Sequence, residues 1–141
     1  MKIIIINGPN LNLVGIREKS IYGDKSLNDY IADLKKKYAD IQLEYFQSNV
    51  EGELINKLHE VGFTYDGIIV NLAGYTHTSI ALADGIAAIT TPVVEVHISN
   101  IHAREEFRHK SFTAAKAKGC LTGFGLAGYE MALNFLIGTY R

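Results

Sequence analysis

The sequence has almost no cysteine, the residue whose disulfides stabilise many small proteins, and it has no large excess of positive or negative charge. A single cysteine among 141 residues cannot form an internal disulfide, and it excludes a multi-cysteine zinc or iron–sulfur site. The 14 Lys and Arg residues are balanced by 15 Asp and Glu, giving a net charge of −1, which argues against a nucleic-acid partner bound through bulk positive charge. No apolar run approaches the roughly 20 residues that span a bilayer, so we expect no membrane partner.

The N-terminal apolar run is also too short for a secretory signal. Ile3 to Ile6 provide about four apolar residues, whereas a signal peptide needs about 7–15. A hydrophobic content of 48% with 21% charged residues is ordinary for a globular protein. We therefore expect a cytoplasmic protein in which residues 1–141 form one domain.

Short β-branched runs alternate with helical patterns along the chain. Strands are predicted at 3–6, 41–46, 67–72, 92–98 and 120–123, and helices at 27–38, 51–61, 79–89, 113–118 and 125–136. This alternation predicts an α/β fold, a flavodoxin-like doubly wound sheet of five parallel strands. Residues 8–25 show no helical period, and a loop of this length is typically functional.

Polar side chains follow three of the predicted strands, where ligands bind in open α/β sheets. They are Asn7, Asn10, Asn12, Arg17 and Tyr22 after the first strand, Asn71 and His77 after the third, and His97, Ser99, Arg104 and Arg108 after the fourth. Arg104 and Arg108 would share a face if their stretch were helical, and could then bind a carboxylate. We expect the site at this edge of the sheet.

Two residue pairs indicate acid–base chemistry. Glu95 and His97 are two apart on a strand and therefore point to the same face, where a carboxylate fixes the tautomer of an imidazole. This pair is either a satisfied core histidine or a catalytic acid, and the sequence leaves both open. A Tyr base would need its pKa lowered by a nearby cation, for which Arg17 is the candidate partner of Tyr22.

Four other motifs point weakly to other functions. Gly123 to Gly128 matches the dinucleotide pattern G-x-G-x-x-G, but no chain remains for the acidic ribose ligand about 20 residues on. The His and Glu residues of 97–109 match no usual zinc spacing, so we expect no metal. Cys120 lies in an apolar strand and is expected to be an inert buried thiol. The basic residues of 102–110 are interrupted by Glu105 and Glu106 and do not predict a nucleic-acid patch.

Three motifs together resemble type II 3-dehydroquinate dehydratases over essentially the full length. They are Asn7-Gly8-Pro9-Asn10-Leu11-Asn12-Leu13 with Arg17 and Tyr22, the segment from Asn71 to Ser79 with Tyr75-Thr76-His77, and the segment from Glu95 to Arg108. The resemblance implies a hydro-lyase of the shikimate pathway that converts 3-dehydroquinate to 3-dehydroshikimate through an enolate, without metal or organic cofactor.

The resemblance also implies a role for each matched residue. Tyr22 matches the base, Arg17 the residue that lowers the Tyr pKa, and Asn10 the one that holds a water against the enolate oxygen. His97 matches the general acid, oriented by Glu95. Substrate-binding positions match Asn71, His77, Ile98, Ser99, Arg108, and Asp84, which the family supplies from a neighbouring subunit. The family assembles as a homododecamer of four trimers.

The alternative to an enzyme is a non-catalytic flavodoxin-like module that binds a small anion.

Overall fold

Five parallel strands form one sheet in the order β2-β1-β3-β4-β5. They are β1 Lys2–Asn7, β2 Gln42–Gln47, β3 Gly67–Asn71, β4 Val93–His97 and β5 Gly119–Thr122. The computed structural model describes residues 1–16 and 25–141, and these bounds refer to that part of the chain. The predicted flavodoxin-like doubly wound fold is confirmed, and strands β1 and β3 lie at the centre, where the chain reverses its direction of winding.

Helices cover both faces of this sheet. They are α1 Leu27–Lys37, α2 Glu51–Val61, α3 Ile80–Ala88 and α4 Ala127–Tyr140. The side chains of Ser26 and Ser79 accept hydrogen bonds from the amides of Asp29 and Leu82, so a serine caps the start of α1 and of α3. Short 3₁₀ turns connect the elements at Leu11–Leu13, Ala73–His77, Ile101–Ala103, Glu106–Arg108 and Ala114–Lys116. No described helix is long and apolar enough to cross a membrane.

The isoleucine run of β1 divides the core into two layers. Ile3 and Ile5 pack in one cluster with residues of α1 and α4, whereas Ile4 and Ile6 pack in a second cluster with residues of α2 and α3. All four side chains are buried because β1 is a central strand covered on both faces. At about 25 cal/mol per Å² of apolar area removed from water, this burial is a main source of stability.

Two predicted helices differ from the observed ones. The last helix was expected at 125–136, but Gly125 adopts a left-handed φ of 60°, which delays the start of α4 to Ala127, and the helix continues to Tyr140. The predicted helix at 113–118 is a single 3₁₀ turn at Ala114–Lys116. Neither difference changes the order of the strands.

The loop after β1 is held against the loop after β3. The amide of Gly8 donates to the carbonyl of Asn71 at 2.7 Å. A Cβ at Gly8 would lie 2.5 Å from the carbonyl oxygen of Leu72, so only glycine permits this approach. The close contact places the residues that follow both strands at one edge of the sheet.

Candidate active site

A cavity of about 170 Å³ opens at the carboxyl ends of β1, β3 and β4. It lies where ligands bind in doubly wound sheets. Residues from three loops line it: Pro9, Asn10, Leu11, Asn71, Ala73, Gly74, His77, His97, Ile98, Ser99, Ile101, Arg104 and Arg108. The structure thus brings together seven of the eleven site residues named from the sequence, and all seven line this cavity.

Glu95 and His97 form a buried acid–imidazole pair on β4. Nε2 of His97 lies 2.8 Å from Oε2 of Glu95, and the two residues are 5% and 0% exposed. Because a carboxylate only accepts hydrogen bonds, Nε2 of His97 carries a proton, and Nδ1 is the ring nitrogen that is not bound to Glu95. Burial acts to raise the pKa of Glu95, but the hydrogen bond and charge of His97, with hydroxyl donors from Thr113 and Ser111, outweigh it and hold this pKa below its usual value.

His77 approaches the same cavity from the 3₁₀ turn after β3. Its Nδ1 lies 2.7 Å from the carbonyl oxygen of Lys110, so Nδ1 carries a proton and Nε2 bears the lone pair of the neutral ring. Burial lowers the pKa of His77, and the charges of His97 and Arg108 lower it further, against the raising effect of the Lys110 carbonyl. A neutral imidazole at this position can accept a hydrogen bond from a ligand hydroxyl.

Asn71 is fixed at the end of β3 by its side chain. Its amide nitrogen donates to the hydroxyl of Tyr129 at 3.0 Å, and its amide oxygen accepts from the backbone of Ala73 at 3.2 Å. The Tyr129 hydroxyl in turn donates to Oδ1 of Asn7 at 3.0 Å. This buried chain ties the carboxyl ends of β1 and β3 to helix α4.

Two arginines bring positive charge to the cavity from the segment after β4. This segment is not the single helix considered above, because Arg104 has extended backbone angles and separates two 3₁₀ turns. Nε of Arg108 lies 2.8 Å from Glu105, and Nη1 of Arg104 lies 3.4 Å from the hydroxyl of Ser99. Both arginines nevertheless line the cavity, where their positive charge suits an anionic ligand.

Asn10 reaches the cavity from a strained position. Its φ of 69° is left-handed, a region in which asparagine is one of the few residues other than glycine to occur routinely. The backbone amide of Asn10 donates to the side chain of Asn49 at 3.0 Å. Such backbone outliers persist where the surrounding structure holds them, and they concentrate at functional sites.

The comparisons with known proteins agree on one family. The family model of class II dehydroquinase matches residues 1–137. The chain belongs to this family. A 3-dehydroquinate dehydratase of an Exiguobacterium species is 54% identical, with 100% of this chain and 97% of the relative covered, and one of Clostridium perfringens is 56% identical, with 96% of each covered. The crystal structure of the type II dehydroquinase of Butyrivibrio crossotus matches with a TM-score of 0.93 at 45% identity, covering 97% of both chains.

Four predicted site residues of this class II dehydroquinase are either outside the described residues or absent from the cavity lining. Arg17 and Tyr22 fall outside the described residues 1–16 and 25–141. Asp84 is exposed on α3 and does not line the cavity of its own chain. Glu95 lies behind His97 and does not line the cavity either.

Sequence reasoning missed three polar residues that contact the site residues of this dehydroquinase. Tyr129 binds Asn71 and Asn7, whereas Ser111 and Thr113 both donate to the carboxylate of Glu95. These contacts join residues 16 to 122 positions apart, so no local motif reveals them. The signal that was available is chemical, since a buried carboxylate at Glu95 requires donors beyond one imidazole.

Cys120 is exposed as a residue, which corrects the expectation of a buried one. Its thiol nevertheless donates to Glu95 at 3.5 Å, and burial together with the charge of Glu95 raises the pKa of Cys120 to about 12. Glu95, His97 and Cys120 have ligand atoms within 4.8 Å of one another. The 2.8 Å between Nε2 and Oε2 is, however, shorter than the roughly 3.3 Å that separates two ligands of a tetrahedral zinc ion, so this class II dehydroquinase holds a hydrogen-bonded cluster here.

The G-x-G-x-x-G motif of this dehydroquinase supports the loop after β4. The amide of Gly123 donates to the carbonyl of His97 at 3.2 Å, and that of Gly125 donates to Ile98 at 3.0 Å. These bonds fix the backbone beside the cavity. Gly123 and Gly125 have left-handed φ angles of 92° and 60°, and a Cβ at Gly128 would lie 3.1 Å from the side chain of Val96 on β4, so turn conformation and close packing of helix on strand account for the glycines.

Proposed function

We propose that this chain is a 3-dehydroquinate dehydratase, a hydro-lyase that converts 3-dehydroquinate to 3-dehydroshikimate in the shikimate pathway of aromatic amino acid biosynthesis. Membership of the class II dehydroquinase family and the printed activity of relatives more than 50% identical support this activity. The observation that carries it in the structure is the Glu95-backed imidazole of His97 at a cavity that also presents His77 and Arg108.

The reaction begins with a proton transfer to a base. In our proposal the phenolate of Tyr22, kept ionised by the guanidinium of Arg17, removes the proton from the carbon next to the ketone. The electron pair of the broken C–H bond forms an enolate, and Asn10 holds a water against the enolate oxygen. Stabilising the developing negative charge is where such a site gains most of its rate.

The second step expels the hydroxyl group. The enolate collapses to restore the ketone, the new C=C bond forms, and the C–O bond breaks. His97 donates a proton to the departing oxygen, which leaves as water. Glu95 accepts from Nε2 and stabilises the imidazolium before transfer, so the proton that moves to the departing oxygen is the one on Nδ1.

The remaining predicted residues bind the substrate. Arg108 suits the carboxylate, and His77, with its neutral Nε2, suits a hydroxyl. Asn71, Ser99 and the backbone of Ile98 complete the binding positions on the cavity wall. We propose that Asp84 acts on the cavity of a neighbouring subunit, in a homododecamer of four trimers. Residues 1–141 act as one catalytic domain in the cytoplasm, and no metal or organic cofactor enters this scheme.

An absorbance assay tests the activity and separates it from the alternative of an anion-binding module. Purified protein mixed with 3-dehydroquinate should give a rising ultraviolet absorbance as the conjugated enone forms, and EDTA should not change the rate. A flat trace from folded protein would favour the binding module. A rate that EDTA abolishes would instead return attention to the cluster of Glu95, His97 and Cys120.

A further inference from the structure

One short segment, residues 110–113, supports both histidines of the cavity. The carbonyl of Lys110 accepts from His77, and the amide of Phe112 donates to the carbonyl of Thr76 at 3.0 Å. The hydroxyls of Ser111 and Thr113 both donate hydrogen bonds to the carboxylate of Glu95. His77 ends the 3₁₀ turn after β3 and His97 ends β4, so this segment is a common support for two separate elements.

The Glu95 carboxylate has a donor on each oxygen. Oε2 accepts from Nε2 of His97 and from the hydroxyl of Ser111, each at 2.8 Å, and the thiol of Cys120 lies 3.5 Å away. Oε1 accepts from the hydroxyl of Thr113. Thr113 and Glu95 are both 0% exposed. The Ser111 hydroxyl is itself oriented, because it accepts from the amide of Ala114 at 2.9 Å.

A buried carboxylate with donors on both oxygens cannot rotate without losing bonds. Hydrogen bonds to charged groups are the stronger class, and a buried acceptor left without a donor has a full desolvation cost. If the hydroxyl of Thr113 were absent, Oε1 would lack that donor, and the carboxylate would turn or take up a proton. Either change would disturb the bond from Oε2 to His97.

We propose that Thr113 and Ser111 are positioning residues, which hold the carboxylate of Glu95 in the orientation and ionised state that keep the proton of His97 on Nε2. This inference rests on the proposed function, because an Nε2–H held by Glu95 leaves Nδ1 as the ring nitrogen that protonates the departing hydroxyl. It adds two hydroxyl side chains that touch neither substrate nor cavity to the machinery of that step.

The groups that face Glu95 define its response to pH. They are His97 on its own strand, Cys120 on β5, Ser111 and Thr113 on segment 110–113, and His77 beyond His97, with Arg108 acting on His77. Hydrogen bonds from the two hydroxyls favour the ionised carboxylate, so they lower the pKa of Glu95. Their removal therefore shifts the protonation of Glu95 to higher pH.

The test compares Thr113→Val, Thr113→Ser and Ser111→Ala with wild-type enzyme. A matched control is Thr91→Val, because Thr91 is also buried, and its hydroxyl donates to the carbonyl of Tyr65 at 3.0 Å before the start of β4, at the far end of the strand from His97. The measurements are kcat against pH, the melting temperature, and the tautomer of His97 from nitrogen NMR shifts of the ring, which needs no turnover.

In Thr113→Val we expect kcat at neutral pH to fall about tenfold, and the acid limb of the kcat profile to move up by about one to two pH units. The His97 signal should change from a single Nε2–H tautomer to a mixture. Ser111→Ala should change the acid limb of the kcat profile and the His97 tautomer in the same direction. Thr113→Ser, which keeps the hydroxyl, should return both to their wild-type values. Thr91→Val should lower the melting temperature and leave the profile and tautomer unchanged.

A wild-type pH profile and a single Nε2–H tautomer in folded Thr113→Val would overturn the proposal. If Thr113→Val does not fold, Ser111→Ala decides in the same way. Failure of the proposed function is distinguishable, because wild-type protein would then show no turnover while the tautomer comparison would still report on Thr113.

Discussion

The imidazole rings of His77 and His97 lie side by side at the cavity, with centroids 6.3 Å apart and planes inclined by 25°. Each ring has an oxygen acceptor behind it, the Lys110 carbonyl for His77 and the Glu95 carboxylate for His97. The two acceptors differ in charge, and this difference assigns the rings different tasks. The imidazole backed by a carboxylate suits a proton donor, and the one backed by a carbonyl suits a neutral hydrogen-bond acceptor.

Arg108→Lys should weaken substrate binding more than turnover. A lysine keeps the charge but loses the planar fork that meets a carboxylate with two bonds, so we expect KM to rise about tenfold with little change in kcat. Steady-state kinetics measures both constants. Arg141→Lys is the matched control, because Arg141 pairs with Asp40 at 2.7 Å on the surface. An unchanged KM in Arg108→Lys would remove Arg108 from substrate binding.

Tyr129→Phe should destabilise the fold by about 1–3 kcal/mol, since Oδ1 of Asn7 and the amide nitrogen of Asn71 lose their buried hydrogen bonds to the Tyr129 hydroxyl. Urea unfolding measures the loss. Tyr45→Phe provides the control, because the Tyr45 hydroxyl lies 3.4 Å from the amide nitrogen of Asn7 in a half-buried position, and it should cost less. Equal losses of unfolding free energy in the two variants would contradict the larger contribution that we assign to the buried hydrogen bonds of Tyr129.

Cys120 should react slowly with iodoacetamide at pH 8, although the residue is exposed. A pKa raised to about 12 leaves few thiolates, and we expect alkylation at least about a hundredfold slower than in unfolded protein. Because this folded-state pKa is raised, the stability it contributes is present below the unfolded value of 9.0 and is lost as the pH rises toward about 12. Glu95→Gln, which removes one cause of the shift, should react faster. Equal rates in folded and unfolded protein would refute the raised pKa.

The sequence predicts those parts of the fold and site that depend on local spacing. Four consecutive isoleucines identify the central strand, and the two-residue spacing of Glu95 and His97 places both on one face of β4. The bounds of α2 at Glu51–Val61 follow from its helical period. Such features depend only on residues close in sequence, so they can be predicted before any tertiary contact is known.

Contacts between distant segments were not predictable in the same way. Thr113 and Tyr129 are ordinary residues of a loop and a helix until the fold brings them to Glu95 and Asn71, 18 and 58 positions away. The segment from Arg104 to Arg108 is not one helix, because Arg104 has extended backbone angles that local helix propensity does not predict. Tertiary packing decides these features, and it overrides weak local preferences.

In the proposed mechanism Tyr22 and His97 act on one substrate, as base and as acid. The most direct measurement compares Tyr22→Phe and His97→Ala with wild-type protein for turnover of 3-dehydroquinate by absorbance and for binding of an unreactive carboxylate analogue. We predict that each variant loses turnover by at least about a hundredfold and still binds the analogue. Turnover at the wild-type rate in folded Tyr22→Phe would contradict the claim.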